Sequence, residues 1–214
     1  MFIPGCCVLC LCVCLPLFMY NKKKDKKLAV CFKVLGTLCA FSLALVAAIR
    51  LDRTAWLCAA AMFLFAIADA LLEYNWVLGG TCFGMGHICL IFWSFSEYNI
   101  TVTHVICIVL MILALIFSVY RFRALLDKKT LLPLLIYAAI LSLMSGSCIA
   151  GGLSPEAFRT AGWLTAAGGA LFFISDSLIL IRTVLNTKAP GWISWAVMIT
   201  YYCALLCIGI SCLV

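Results

Sequence analysis

Apolar runs of roughly 20 residues follow one another along the whole chain, separated by short polar connections. A helix of that length crosses about 30 Å of hydrocarbon at 1.5 Å per residue. No run keeps a period-two alternation, so the backbone is expected to satisfy itself as helices and not as a closed barrel. Eight spans are read, at roughly 2–20, 28–49, 54–73, 78–97, 100–120, 130–151, 158–181 and 192–213. Composition agrees, with 67% hydrophobic and 11% charged residues among 214. The connections leave no room for a soluble domain. The expected fold is therefore all-α, a single polytopic membrane domain over 1–214 with eight transmembrane helices. The first run has neither the basic start nor the Ala-x-Ala site of a signal peptide, and Lys22-Lys23-Lys24-Asp25-Lys26-Lys27 follows it, so it is read as a retained helix.

Basic residues give an orientation. The connections after spans 1, 5 and 7 hold Lys22, Lys23, Lys24, Lys26, Lys27, Arg121, Arg123, Lys128, Lys129, Arg182 and Lys188, 11 of the 15 Lys and Arg residues. Arg50, Arg53 and Arg159 lie on the other side, and Lys33 lies within a span. The basic side is assigned to the cytoplasm, which puts both termini outside in a multi-pass protein of the plasma membrane. The net charge of +7 follows from this topology and reads as attraction to anionic lipid, not to nucleic acid. The 15 cysteines lie almost all within spans, where Cys serves as a small apolar residue. Cys7-Val8-Leu9-Cys10 has no histidine nearby. No structural disulfide, metal or cofactor is expected.

Two apolar segments are copies of each other. Trp56 to Leu72 and Trp163 to Ile179 share nine of 17 residues at an offset of 107. Each is preceded by Arg-Thr-Ala (Arg53-Thr54-Ala55 and Arg159-Thr160-Ala161), with one extra Gly162 in the second. Each carries a carboxylate, Asp69 or Asp176, whose burial at membrane depth costs about 2.5–3.5 kcal/mol on insertion scales. Four helices apart, the two segments cross in the same direction. The expected architecture is a parallel four-plus-four repeat over roughly 1–107 and 108–214.

Helical spacing places Ala59, Met62, Ala66, Asp69 and Glu73 on one stripe, and Gly162, Ala166, Gly169, Phe173 and Asp176 on the matching one. Stripes of small residues pack closely in lipid, so both aspartates should face the bundle interior. Lys33, His87, Tyr137, Tyr201 and Tyr202 fall at similar depth, from the cytoplasmic half to the middle of the bilayer. Buried charges need partners, and Lys33 and His87 suit two carboxylates. Consecutive residues cannot share a helix face, so at least one of Tyr201 and Tyr202 is expected to be ordinary packing. His104 is read as interfacial.

The residues now carry a resemblance. Lys33, Phe65-Ala66-Ile67-Ala68-Asp69-Ala70-Leu71-Leu72, Gly80-Thr81-Cys82-Phe83-Gly84-Met85-Gly86-His87, Gly169-Ala170-Leu171-Phe172-Phe173-Ile174-Ser175-Asp176-Ser177-Leu178 and Thr200-Tyr201-Tyr202 resemble, in order and spacing, the YhhN-like family, the lysoplasmalogenases. The chain departs from the family pattern at Ala68, usually Gly, at Val34, often Pro, and at Leu205, often Gln. The resemblance implies an integral-membrane hydrolase of the vinyl-ether bond of lysoplasmalogens. Asp69, Asp176 and His87 would be catalytic. Lys33, Glu73, Tyr137, Tyr201 and Tyr202 would contact the lysophospholipid substrate. The chemistry needs an acid to protonate the β-carbon and an anion beside the resulting oxocarbenium ion, roles that two carboxylates in different environments can divide. Other classes remain. Parallel repeats with midplane acids also suit a proton-coupled transporter. Asp69, His87 and Asp176 form a conceivable zinc set, without any His-x-x-x-His or His-Glu-x-x-His motif. A purely structural membrane protein is the fourth reading.

Overall fold

The computed structural model describes residues 2–51, 53–122, 128–154, 161–185 and 190–214. Asp52, Arg123, Glu156, Arg159, Thr160 and Lys188 fall outside the described residues. Every regular element among the described residues is helical: α1 (Phe2–Asn21), α2 (Lys26–Arg50), α3 (Ala55–Leu71), α4 (Trp76–Glu97), α5 (Val102–Phe122), α6 (Lys128–Gly152), α7 (Ala161–Leu185) and α8 (Gly191–Ser211). Six of them, α1, α2, α4, α6, α7 and α8, contain stretches long and apolar enough to cross a membrane. The apolar parts of the other two are shorter, Ala55–Leu71 in α3 and Val102–Ser118 in α5.

Local signals explain the helix ends. Asp25 caps α2, its Oδ1 accepting from the backbone N–H groups of Lys27 at 2.9 Å and Leu28 at 3.1 Å. Asn75 caps α4 in the same way through Val77 and Leu78. Because Asn75 starts a new helix, α3 ends at Leu71 and a tight turn follows. Glu73 therefore leaves the stripe that spacing gave it and lies in that turn, where its backbone carbonyl accepts from Lys26 Nζ. Within α1, Leu9–Cys14 widens into π-helix, and Leu15 N–H bonds Cys10 O five residues back. Pro16 follows at once and has no N–H to donate, which favours such a shift of the ladder. Pro133 is carried inside α6 without ending it.

Sequential helices pack as neighbours within α1–α4 and within α5–α8, and the two groups meet chiefly where α2 touches α8 and α4 touches α6. The core lies on these contacts. Cys58, Met62, Phe65, Leu90, Met144, Phe172, Tyr202 and Leu205 are fully enclosed. Glycines permit the two closest approaches near the site. A Cβ on Gly36 would stand 2.7 Å from the Tyr202 ring, and one on Gly86 would stand 2.5 Å from the Phe65 ring. Trp56 and Trp163, which begin the two copied segments, both point out of the bundle. Many apolar side chains are likewise exposed, among them Phe92, Val102, Ile116 and Phe117, the surface expected of a protein bathed in lipid tails. All 15 cysteines are free thiols.

Candidate functional site

Asp69 sits near the end of α3, in a segment whose small residues Ala59, Ala61, Ala66 and Ala68 let α2, α4 and α8 close around it. Its side chain is 1% exposed. Lys33 Nζ on α2 lies 3.2 Å from Asp69 Oδ1. One turn further along α2, Thr37 Oγ1 donates to Asp69 Oδ2 at 2.5 Å. From α8, Tyr201 OH donates to the same oxygen at 2.8 Å. An ammonium and two hydroxyls thus converge on one carboxylate, which acts as acceptor to all three. The adjacent Tyr202 donates to the Lys33 backbone carbonyl at 3.0 Å. That bond ties α8 to the turn of α2 that carries the lysine.

Asp176 on α7 has different company. Tyr137 OH on α6 donates to Asp176 Oδ2. His87 Nε2 on α4 lies 3.2 Å from the Tyr137 oxygen and 3.8 Å from Asp176 Oδ2. The tyrosine has one proton, and it is spent on the carboxylate. Its oxygen is left to accept from His87, so Nε2 carries a hydrogen there. His87 is completely buried, and its Nδ1 has no hydrogen-bond partner among the described residues. Both contacts to Asp176 use Oδ2, and the side chain is 8% exposed.

Aromatic rings stand between the two carboxylates. Phe65 on α3, Phe83 on α4 and Phe172 on α7 pack on one another and on both clusters. Phe65 and Phe172 lie 5.3 Å apart, His87 is 5.1 Å from Phe65 and 5.2 Å from Phe172, and Tyr201 is 5.7 Å from Phe83 and 5.9 Å from Phe172. The site is one apolar centre with an anion-centred cluster on either side.

The sequence-predicted residues distribute accordingly. Lys33, Asp69, Tyr201 and Tyr202 gather on one side of the rings, and His87, Tyr137 and Asp176 on the other. Glu73 joins neither cluster. The expectation that one of Tyr201 and Tyr202 would be ordinary packing fails. They are 4% and 0% exposed and both hydrogen-bond across the bundle. Helix α8 touches α1, α2, α3 and α7, so it has no single inward face. His104 is buried at 1% exposure, its Nδ1 accepting from Thr101 N at 3.2 Å at the start of α5. Thr37 was missed, although its place four residues after Lys33 on one helix face was a readable signal. Asp69 stands apart from His87 and Asp176, and among the described residues no three His, Cys, Asp or Glu side chains are grouped to hold a metal ion.

The model of the YhhN family matches residues 28–212, which takes in every residue of both clusters. The chain belongs to the YhhN family. Helix α1 and the lysine run after it lie outside the family match. Comparison with the curated proteins gave no match, and neither did comparison with the solved structures. Membership of the YhhN family, an all-helical fold and several membrane-length helices agree with one another: this is a multi-pass membrane protein.

Proposed function

We propose that this YhhN-family chain is an integral-membrane hydrolase of the vinyl-ether bond in lysoplasmalogens, yielding a fatty aldehyde and a glycerophospho-headgroup. The observation that carries the reading is the unlike surroundings of Asp69 and Asp176 on either side of one apolar centre.

The reaction begins when a proton is added to the vinyl carbon remote from the ether oxygen. The cation that forms is shared between the neighbouring carbon and that oxygen. Water adds to this carbon and loses a proton, and the hemiacetal collapses to aldehyde and alcohol. Asp69, surrounded by three donors, is the fixed anion that faces the developing cation. Asp176 is the proton donor through Oδ1, the oxygen that neither Tyr137 nor His87 engages. The free Nδ1 of His87 accepts from the attacking water. Phe65, Phe83 and Phe172 exclude other water and pack against the apolar chain.

The eight-span, four-plus-four architecture belongs to the same proposal. Exchanging α1–α4 with α5–α8 maps the contact of α2 with α8 onto that of α6 with α4. It also maps the partners of Asp69, from α2 and α8, onto those of Asp176, from α6 and α4. The lysine-rich side supports a cytoplasmic placement of the nearer half of the site, with both termini outside and the plasma membrane as the host bilayer.

Purified protein in detergent, given a lysoplasmalogen, should release aldehyde. Asp69→Asn and Asp176→Asn, folded by thermal melt, should not. Turnover should vary between roughly pH 5 and pH 9 as an acid–base pair requires. A folded wild type that makes no aldehyde would overturn the hydrolase and shift the reading of the same acids to proton-coupled transport.

A further inference from the structure

The reaction scheme above uses Asp176 Oδ1 and His87 Nδ1 and gives no part to Tyr137, which stands between the two residues. Tyr137 OH donates to Asp176 Oδ2, and its oxygen lies 3.2 Å from His87 Nε2. His87 Nε2 is 3.8 Å from Asp176 Oδ2, beyond hydrogen-bond reach. The tyrosine oxygen therefore bridges the imidazole and the carboxyl group. The chain so formed has two free ends. One is His87 Nδ1, without a hydrogen-bond partner among the described residues, and the other is Asp176 Oδ1, which neither Tyr137 nor His87 engages.

The imidazole is also held in place. Its ring centre is 5.1 Å from that of Phe65, 5.2 Å from Phe172, 5.8 Å from Tyr137 and 5.9 Å from Phe83, and His87 is completely buried. A ring packed among four others keeps Nε2 on Tyr137 and Nδ1 on the opposite edge. Imidazole takes a proton at one nitrogen as it releases one from the other, and a phenol does the same at its single oxygen. The geometry thus joins two ends that each exchange a proton with the substrate.

We propose that Tyr137 and His87 are a relay that returns to Asp176 the proton it gives up in each turnover. The proposal rests on the hydrolase reading above and adds the recovery of the acid. Asp176 transfers its Oδ1 proton to the vinyl carbon and becomes a carboxylate. Water attacks the cation and gives a proton to His87 Nδ1. The Nε2 proton passes to the Tyr137 oxygen, and the Tyr137 proton passes to Asp176 Oδ2. The acid is then neutral, Tyr137 again holds one proton, and the imidazole carries its proton on Nδ1. Collapse of the hemiacetal runs the chain in reverse. The hemiacetal hydroxyl gives its proton to Asp176 Oδ1, and the Oδ2 proton returns to Tyr137. The Tyr137 proton returns to Nε2, and the Nδ1 proton goes to the glyceryl oxygen as its bond to carbon breaks. Every enzyme proton is back on its starting atom, and vinyl ether plus water has become aldehyde plus alcohol. Tyr137 touches no substrate in this scheme and acts through Asp176 as a positioning residue that also carries the proton.

A relay that resets an acid can be separated from one that merely orients it by comparing the first turnover with later ones. The full-length protein in detergent is mixed with a 1-alkenyl-glycerophosphocholine and quenched on the millisecond-to-minute scale, with protein in excess and then with lipid in excess. In Tyr137→Phe the first aldehyde should form within about fivefold of the wild-type rate, and later ones about a hundredfold more slowly than in wild type. The trace is a burst of one aldehyde per protein, absent from the wild type. His87→Gln keeps a donor for Tyr137 but cannot pass a proton, so its later turnovers should slow as much. The double variant should be no slower than either single one, because links of one chain fail together. First and later turnovers that fall equally in Tyr137→Phe, losses that multiply in the double variant, or wild-type turnover in His87→Gln would overturn the relay. Tyr137→Phe removes one atom and decides the matter alone if a thermal melt shows His87→Gln unfolded. An active wild type with any of these outcomes removes the relay and leaves the hydrolase. A folded wild type that makes no aldehyde removes both.

Discussion

Asp69 and Asp176 occupy the same place in two copies of one apolar segment, and the bundle treats them differently. Asp69 receives an ammonium from Lys33 and hydroxyl protons from Thr37 and Tyr201, and is all but closed off. Asp176 receives one hydroxyl proton from Tyr137, with His87 behind it. Nothing within the copied segment makes this difference. It comes from α2 and α8 in one case and from α6 and α4 in the other. Two similar segments carry the two acids, and the helices packed against them give each different partners. Asp69 accepts from three donors, whereas Tyr137 and His87 both approach Asp176 at Oδ2 alone.

The comparison breaks hardest at Lys33. Lys33→Leu leaves a buried carboxylate without its ion and should cost about 3–5 kcal/mol, read as a large fall in Tm in detergent. Adding Asp69→Asn should recover much of that loss, because the uncompensated charge goes with it. His87→Leu, which removes a ring nitrogen 3.8 Å from Asp176 and leaves the Tyr137 bond in place, should cost clearly less. Equal losses at the two sites would erase the distinction drawn here.

Next in size, Tyr137→Phe removes the hydroxyl that donates to Asp176, the only one to do so among the described residues. Turnover should fall about a hundredfold while the fold persists, if Asp176 is the proton donor. Tyr201→Phe leaves Asp69 with two of its three donors and should cost less. The reverse order would exchange the two roles.

Gly86→Ala drives a methyl group into Phe65, between the clusters. A destabilisation of about 2 kcal/mol is expected, with lower activity from both sides of the ring wall. Thr37→Val is the mildest change. It removes one bond to the Asp69 carboxylate and should cost about 1.5 kcal/mol, with Lys33 and Tyr201 still in place. A Tm equal to wild type would show that Thr37 only fills space.

Much of this was legible in the chain. Span-length apolar runs announce membrane helices, because hydrocarbon leaves the backbone no partner but itself. Buried ions at matched depth announce a site, because their insertion is costly. The pairing of Lys33 with one aspartate and His87 with the other followed from the need to compensate charge. Thr37 was within reach of the same reasoning, being one turn from Lys33. Other features were not accessible. Glu73 leaves the stripe because Asn75 begins a new helix and α3 stops short. Tyr201 and Tyr202 both turn inward because α8 is surrounded, and periodicity along one helix cannot report how many neighbours it has.

The sequence by itself therefore determined the class of structure and which acids it buries, since each of these follows from what a segment costs to bury. Tertiary structure alone decided which groups reach which carboxylate and that aromatic rings stand between the two. Those are contacts between helices distant in the chain, and no local pattern encodes the angle at which one helix meets another.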